Sequence, residues 1–291
     1  MPTQSLILRG QIGRRLTIAE MDGNFTYLQE LSSCNNTGYC NCVSNNSDNS
    51  IIQGGSYNSI LGTSSNSSII GGENNSICCS SNYSSIIGGT DNTIEKSCKS
   101  GIFSGVSAKI CNNSESSVII GGSQDKILDY SCSSTVIGGF RNCITDYSYN
   151  SSVIAGCCNN VQSGSCNSSV MGGCCNKICD NSCASSIVGG YRNSVSYYSC
   201  NSSVIGGCCN RVCDYSCNSG IFSGGWNKIK YSDKSVVLGG NNNHICIYSD
   251  RSGVLAGRCN EIVVFSSYST IVGGCCNDIS LYSCSSTITG G

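Results

Sequence analysis

The chain has 291 residues, a net charge of −1, 11% charged residues, one Pro and 36 Gly. So little charge, with no basic run, leaves no electrostatic footprint for binding nucleic acid. No stretch approaches the ~20 apolar residues of a membrane span, and no secretory signal is visible, so membrane insertion is not expected.

Residues 1–16 read as an N-terminal strand or docking segment. Ser5-Leu6-Ile7-Leu8-Arg9-Gly10 has the form of the strand that recurs later in the chain. It is expected either to begin the subunit's own stack or to dock on the last rung, at Gly290-Gly291, of another copy, giving head-to-tail stacking. Residues 17–32 are expected to form an amphipathic helix. Thr17 and Glu20 fit a capping box, and Ile18, Met21, Phe25, Leu28 and Leu31 follow at spacings of three and four. Residues 33–50, rich in Cys, Asn and Ser, read as a linker or an irregular first coil.

From residue 51 to 291 one unit repeats. Fifteen two-residue steps, a small residue followed by Gly, begin at Gly54, Gly71, Gly88, Ser104, Gly121, Gly138, Ala155, Gly172, Gly189, Gly206, Ser223, Gly239, Ala256, Gly273 and Gly290. Twelve of the fourteen gaps are 17 residues and two are 16. A fixed period of this size marks stacked supersecondary units. With the first residue of each pair numbered zero, position +1 is always Gly, which points to positive φ or a very close backbone approach and reads as a turn, whereas position 0 also accepts Ser and Ala and reads as a tightly packed site. Position −2 is Ile or Val from Ile69 onward, and +6 is Ile or Val from Ile60 to Ile279. Branched residues favour strands, and no 3.6-residue apolar period appears.

Position +4 is Asn at Asn58, Asn75, Asn92, Asn142, Asn159, Asn176, Asn193, Asn210, Asn227, Asn243, Asn260 and Asn277, with Ala108 and Asp125 as exceptions. Ser recurs at −7 and −4, and Tyr or Phe often precedes the first of these serines. Two short strands per unit cannot bury a face alone, but stacked at ~4.8 Å they pair with the coils above and below. The expected fold is all-β: a parallel β-solenoid (a β-roll) of about 14 coils, roughly 65–70 Å long at that spacing. In it the asparagines form a ladder that bonds backbone within a turn.

Position −1 carries Ile70, Ile87, Phe103, Ile120, Ile154, Met171, Ile205, Phe222, Leu238 and Leu255. Neighbours in a strand face opposite ways, so if −2 fills the core, −1 makes an outward apolar ladder that calls for an oligomer interface. The alternative is a strand bent by the following glycines so that both residues turn inward.

The 26 cysteines sit in register. Cys166, Cys183, Cys200 and Cys217 occupy −6 on four successive rungs, where the rung spacing permits a disulfide ladder. Adjacent pairs such as Cys157-Cys158 and Cys174-Cys175 fall at +2 and +3. Three readings stay open: staples, small buried thiols, and a scaffold that binds metal. No zinc-ligand spacing is present, so no metal or other cofactor is expected. The lone His244 is expected to face outward in a turn, and Asp129, Asp146, Asp180 and Asp214 share a corner without a paired acid. No catalytic constellation emerges, and the chain is not expected to be an enzyme. It lacks the clustered Asp, Arg or Lys of β-helix polysaccharide lyases and the six-residue aliphatic repeat of hexapeptide acyltransferases.

The pattern Ser203-Val204-Ile205-Gly206-Gly207, followed by Asn210 and Val212, resembles the head repeats of YadA-like trimeric adhesins. It is still more similar to Ile-Gly-Gly repeats in phage and giant-virus fibre proteins, over residues 50–291. The segment from Gly13 to Phe25 is similar to the N-terminal helix of some phage tail-fibre proteins. The resemblance implies a homotrimer of solenoids about a common axis, in agreement with the −1 ladder. The expected protein is a fibre-like or adhesin-like shaft or filament on a virion or extracellular surface, with itself as partner. The alternatives are a module that binds a repetitive host-surface glycan, and a cysteine ladder that holds metal.

Overall fold

A computed structural model describes residues 37–291. The expected segments 1–16 and 17–32, and the first residues of 33–50, lie outside the described residues. The rest is a parallel β-solenoid of about fifteen coils, with no helix among the described residues. Thirty short strands run from β1 (Cys42–Val43) and β2 (Ile51–Gln53) to β29 (Asp278–Ile279) and β30 (Thr287–Ile288). The odd-numbered strands form one 15-stranded parallel sheet from the Asn-x-Ile segments, and the even-numbered strands form a second from the Ser-x-Ile segments. A third ladder of single bridges joins the +2 residues, from Tyr39 with Ser56 to Arg258 with Cys275.

The register is one coil throughout. Val204 pairs with Ile221, and Val195 with Val212. The two 16-residue coils keep this register, with Ile86 opposite Ile102 and Ile229 opposite Ile245. Each loses its residue at the corner between +7 and the next −7 serine. Most coils place two residues there, as Asp129 and Tyr130, both at positive φ. The short coils place one, Lys96 or Tyr231.

The apolar interior is two columns wide. Every Ile or Val at −2 from Ile52 to Ile271, and every one at +6 from Ile60 to Ile262, is fully buried. The remaining interior is polar and satisfied along the stack. The Ser199 N–H donates to Ser182 Oγ at 3.1 Å, and Ser202 Oγ donates to the Ser216 carbonyl one coil on at 2.9 Å. Repetition lets each hydroxyl both accept and donate, so interior positions that a larger core would fill with hydrocarbon hold serine without orphaned groups.

Of the two residues of each small-Gly step, +1 has the positive φ and close backbone approach expected of it, whereas position 0 departs from the tight packing expected from the sequence. A Cβ built on position 0, at Gly71, Gly121, Gly172 or Gly189, meets nothing within 4 Å. At these coils position 0 is therefore open, not tightly packed; up to Gly206 its constraint is backbone conformation, since Gly189 has φ 67° and even Ser104 and Ala155 are held at 57° and 58°, whereas Ser223, Gly239, Ala256 and Gly273 are not in the left-handed region. The close approach lies at +1. There a Cβ on Gly190 would overlap the Gly207 carbonyl of the next coil and the Asn193 side chain of its own, at φ 80°. Gly189→Ala is expected to cost about 1 kcal/mol, the strain of a left-handed alanine. Gly190→Ala is expected to cost about 3 kcal/mol or more through overlap with backbone. Thermal denaturation of the two variants, read by circular dichroism, should separate them clearly.

Candidate functional site

Strand alternation sends −1 outward on the even-numbered sheet. The interface residues anticipated from sequence stand on that outer face: Ile70, Ile120, Met171, Phe222 and Leu238 are each 42–44% exposed, and Ile87, Ile154, Ile205 and Leu255 are 37–40% exposed. Phe103 is half-buried. Ile137, Val188 and Val272 extend the column, so it is unbroken from Ile70 to Val272. The inward-bent alternative does not occur.

The face is also kept level. Phe103 and Phe222 are the largest residues in the column, and in each of these coils position −3 is glycine, Gly101 or Gly220. A Cβ on Gly101 would lie 2.9 Å from the Phe103 ring, and one on Gly220 would lie 3.2 Å from the Phe222 ring. Each ring thus reclines over the bare backbone of its own coil instead of standing out from the sheet. Leu255 repeats the pairing with Gly253. Large −1 with absent −3 was legible in the sequence as the twice-used string Gly-Ile-Phe-Ser-Gly, although the column view alone does not suggest it.

The asparagine ladder is structural. Asn58, Asn75, Asn92, Asn142, Asn159, Asn176, Asn193, Asn210, Asn227, Asn243 and Asn260 are fully buried, and Asn277 is half-buried near the last coil. The Asn176 N–H donates to Asn159 Oδ1 at 3.0 Å, while Asn176 Nδ2 donates to the carbonyls of Gly172, Gly189 and Gly190 at 3.1–3.3 Å. One side chain thus ties its own turn to the turn above, where its Oδ1 accepts the Asn193 N–H at 3.0 Å, and no group is left over for a ligand.

Two adjacent coils break this ladder. Ala108 supplies only a methyl group. Asp125 accepts the Asn142 N–H through Oδ1 at 2.8 Å, but its Oδ2, beside Gly122 and the Gly139 carbonyl, has no hydrogen-bond partner. Burial pushes its pKa up to about 6, against the lowering effect of the Asn142 bonds. In the protonated acid, Oδ2–H takes the place of the amide N–H that other coils aim at glycine carbonyls. Because the folded pKa lies above the unfolded value, the folded state holds the proton more tightly. Asp125 therefore stabilises the coil at low pH and loses that contribution as pH rises from about 4 through about 6. Asp125→Asn is expected to add about 2–3 kcal/mol at pH 8 and much less at pH 4. Denaturant titrations at the two pH values measure the difference.

All 25 described cysteines are free thiols, and none stands at disulfide distance from another. The four successive −6 thiols act as hydrogen-bond groups. The Cys166 N–H donates to Cys183 Sγ at 3.3 Å and the Cys200 N–H to Cys217 Sγ at 3.3 Å. Other coils fill the same role with oxygen: Asp233 Oδ1 accepts from the Cys217 N–H at 2.7 Å, and Asn82 Oδ1 from the Ser65 N–H at 2.7 Å. Cysteine here shares its role with Asp, Ser and Asn because each puts an acceptor one atom beyond Cβ or close to it. At +7, burial pushes the Cys179 thiol up to about 12 and those of Cys111 and Cys213 up to about 11. The adjacent pairs bring sulfurs to 3.2–3.3 Å of each other. Among the described residues, no three His, Cys, Asp or Glu side chains converge as a metal-ligand set. Titration of the denatured, unreduced protein is expected to find one free thiol for each of the 25 described cysteines. Cys183→Ser should leave the melting temperature within a few degrees, because the hydroxyl can accept the same N–H.

Stacking also builds an aromatic column that the sequence showed only as a recurrent Tyr-Ser corner. Tyr198, Tyr215, Tyr231, Tyr248, Phe265 and Tyr282 stack in series with ring centroids 5.2–6.4 Å apart. Tyr130 and Tyr147 form a separate pair at 5.0 Å. Because each ring covers the next, the column turns ring edges, not faces, to solvent.

These features define a repeat protein whose interior is structural and whose outer columns are free to bind. No protein-family model matches the chain, and none of the curated proteins is similar to it.

Proposed function

We propose that this chain is a structural fibre protein whose solenoids associate side by side through the outer face of the even-numbered sheet. The observation that carries the reading is the level apolar column from Ile70 to Val272. At one coil per ~4.8 Å it runs for roughly 60 Å. Eleven of its thirteen side chains are 37–44% exposed. A continuous apolar strip of this length exceeds what soluble monomers leave in water, whereas a partner surface would bury it.

A homotrimer, with three such faces turned toward a common axis, is the assembly that the resemblance to trimeric adhesin head repeats implies, with head-to-tail stacking as its extension into a filament. Such a shaft suits a virion or an extracellular surface, where a stiff spacer is needed and no catalysis. The buried, high-pKa thiols at +7 are compatible with small-residue packing along the shaft.

Native mass spectrometry or sedimentation equilibrium tests the proposal, with a mass three times that of the chain as the expected result and a clean monomer as the overturning one. Leu238→Asp combined with Leu255→Asp should yield monomers. Their melting transition should move by only a few degrees, because neither side chain is part of the core.

A further inference from the structure

The chain's only Trp and only His lie on the same side of the solenoid, along the odd-numbered sheet and the turn that precedes it. Together with Arg192, Cys209, Arg211, Asn227, Lys228 and Asn242 they line a half-open cleft of about 390 Å³. Its residues come from four consecutive coils. Arg192, Arg211 and Lys228 arrive one per coil, although 17 to 19 residues separate them in sequence. Among the described residues none of the three forms an ion pair. The nearby Lys230 is held by Asp214 at 3.2 Å, and Glu261 by His244 Nδ1 at 3.4 Å. Arg192 and Arg211 both bear on the Cys209 thiol between them, opposing the upward push of burial.

Trp226 supplies the second element. It occupies the +3 turn position at φ 59°, a conformation costly for a bulky side chain, and is 63% exposed. It therefore gains little from burial in the fold. Its ring makes no aromatic or cation–π pairing among the described residues, unlike the Tyr198–Tyr282 column, whose faces are mutually covered. A mostly exposed indole beside cations that form no ion pair, one of which, Arg192, lies over the Tyr191 ring at 4.9 Å, fits a sugar ring that stacks its C–H face on the indole while its acidic group meets a guanidinium.

We infer that the cleft between Arg192 and His244 is a binding site for an acidic saccharide, carrying carboxylate or sulfate groups along an extended chain. The coil spacing, about 4.8 Å, is close to the length of one sugar unit, so cations one coil apart match acidic groups repeated along such a chain. Nucleic acid fits less well. The basic run on the outer face of the odd-numbered sheet, Arg211 then Lys228 then His244, is closed by Glu261 and Asp278 on the next two coils, too short a strip to track a phosphate backbone. The site stands apart from the −1 face and does not depend on the assembly proposed above.

The single Trp makes the test direct. Titration with a sulfated, uronate-containing heparin hexasaccharide, or with hexagalacturonate, is expected to shift the Trp226 emission saturably, and the neutral cellohexaose to leave it unchanged. Arg211→Ala combined with Lys228→Ala should weaken binding about tenfold while leaving the circular dichroism spectrum intact. Trp226→Ala, followed by calorimetry, should weaken it by a similar factor of about ten. The inference is overturned by the absence of saturable binding of either acidic hexasaccharide up to millimolar concentration. Unchanged affinity in the Arg211/Lys228 variant, or tighter binding of oligothymidylate than of both saccharides, would also overturn it. Native mass measured on the same samples reports on assembly independently of these outcomes.

Discussion

Everything in this molecule depends on each residue lying directly beneath its own equivalent, one coil away. At that separation a backbone amide, a serine hydroxyl or an asparagine amide always finds the same partner in the same place. The most demanding point of contact is the +1 glycine, where the carbonyl of the next coil lies where a Cβ would go. A side chain there would push two coils apart, and with them the ladders on both sides. This explains why +1 never varies while neighbouring position 0, facing open space, takes Ser or Ala at modest conformational cost.

Stacking of this kind divides the chain into columns with different freedoms. Interior columns are held to Ile or Val, Ser and Asn because each member must satisfy the coils above and below. The pair of exceptions at Ala108 and Asp125 shows what a departure entails: one coil gives up the ladder's amide, and the next holds a buried carboxyl group, one oxygen without a partner, whose pKa burial pushes up. Outer columns answer only to solvent and partners. They vary, and their variation carries information. The glycines beneath Phe103 and Phe222 keep one face level, while the cations and indole around Trp226 gather on another.

The cysteines illustrate how a conspicuous composition can have a modest physical cause. A thiol at −6 accepts the same backbone N–H that a carboxylate, hydroxyl or carboxamide accepts in other coils. Buried thiols at +7 are pushed toward the neutral form by loss of solvent. In both columns cysteine serves as a compact side chain with one weak polar atom.

The sequence alone determined the period, the two-column core and the strand segments, because branched residues at −2 and +6 and glycine at +1 are local requirements repeated often enough to read. It also pointed to an outward column from Ile70 to Leu255, since alternation in a strand follows from covalent geometry, but only the structure excluded the inward-bent strand. The sequence misassigned position 0 of the small-Gly step as tightly packed, because what a Cβ would strike belongs to the next coil and not to the local chain. Residues 16 to 19 positions apart become neighbours only once coils stack, so the aromatic column, the hydrogen-bonding role of the −6 thiols and the cleft of Arg192, Arg211, Trp226 and Lys228 were decided by tertiary structure. Local pattern fixes which way a side chain points; only the stack determines what stands beside it.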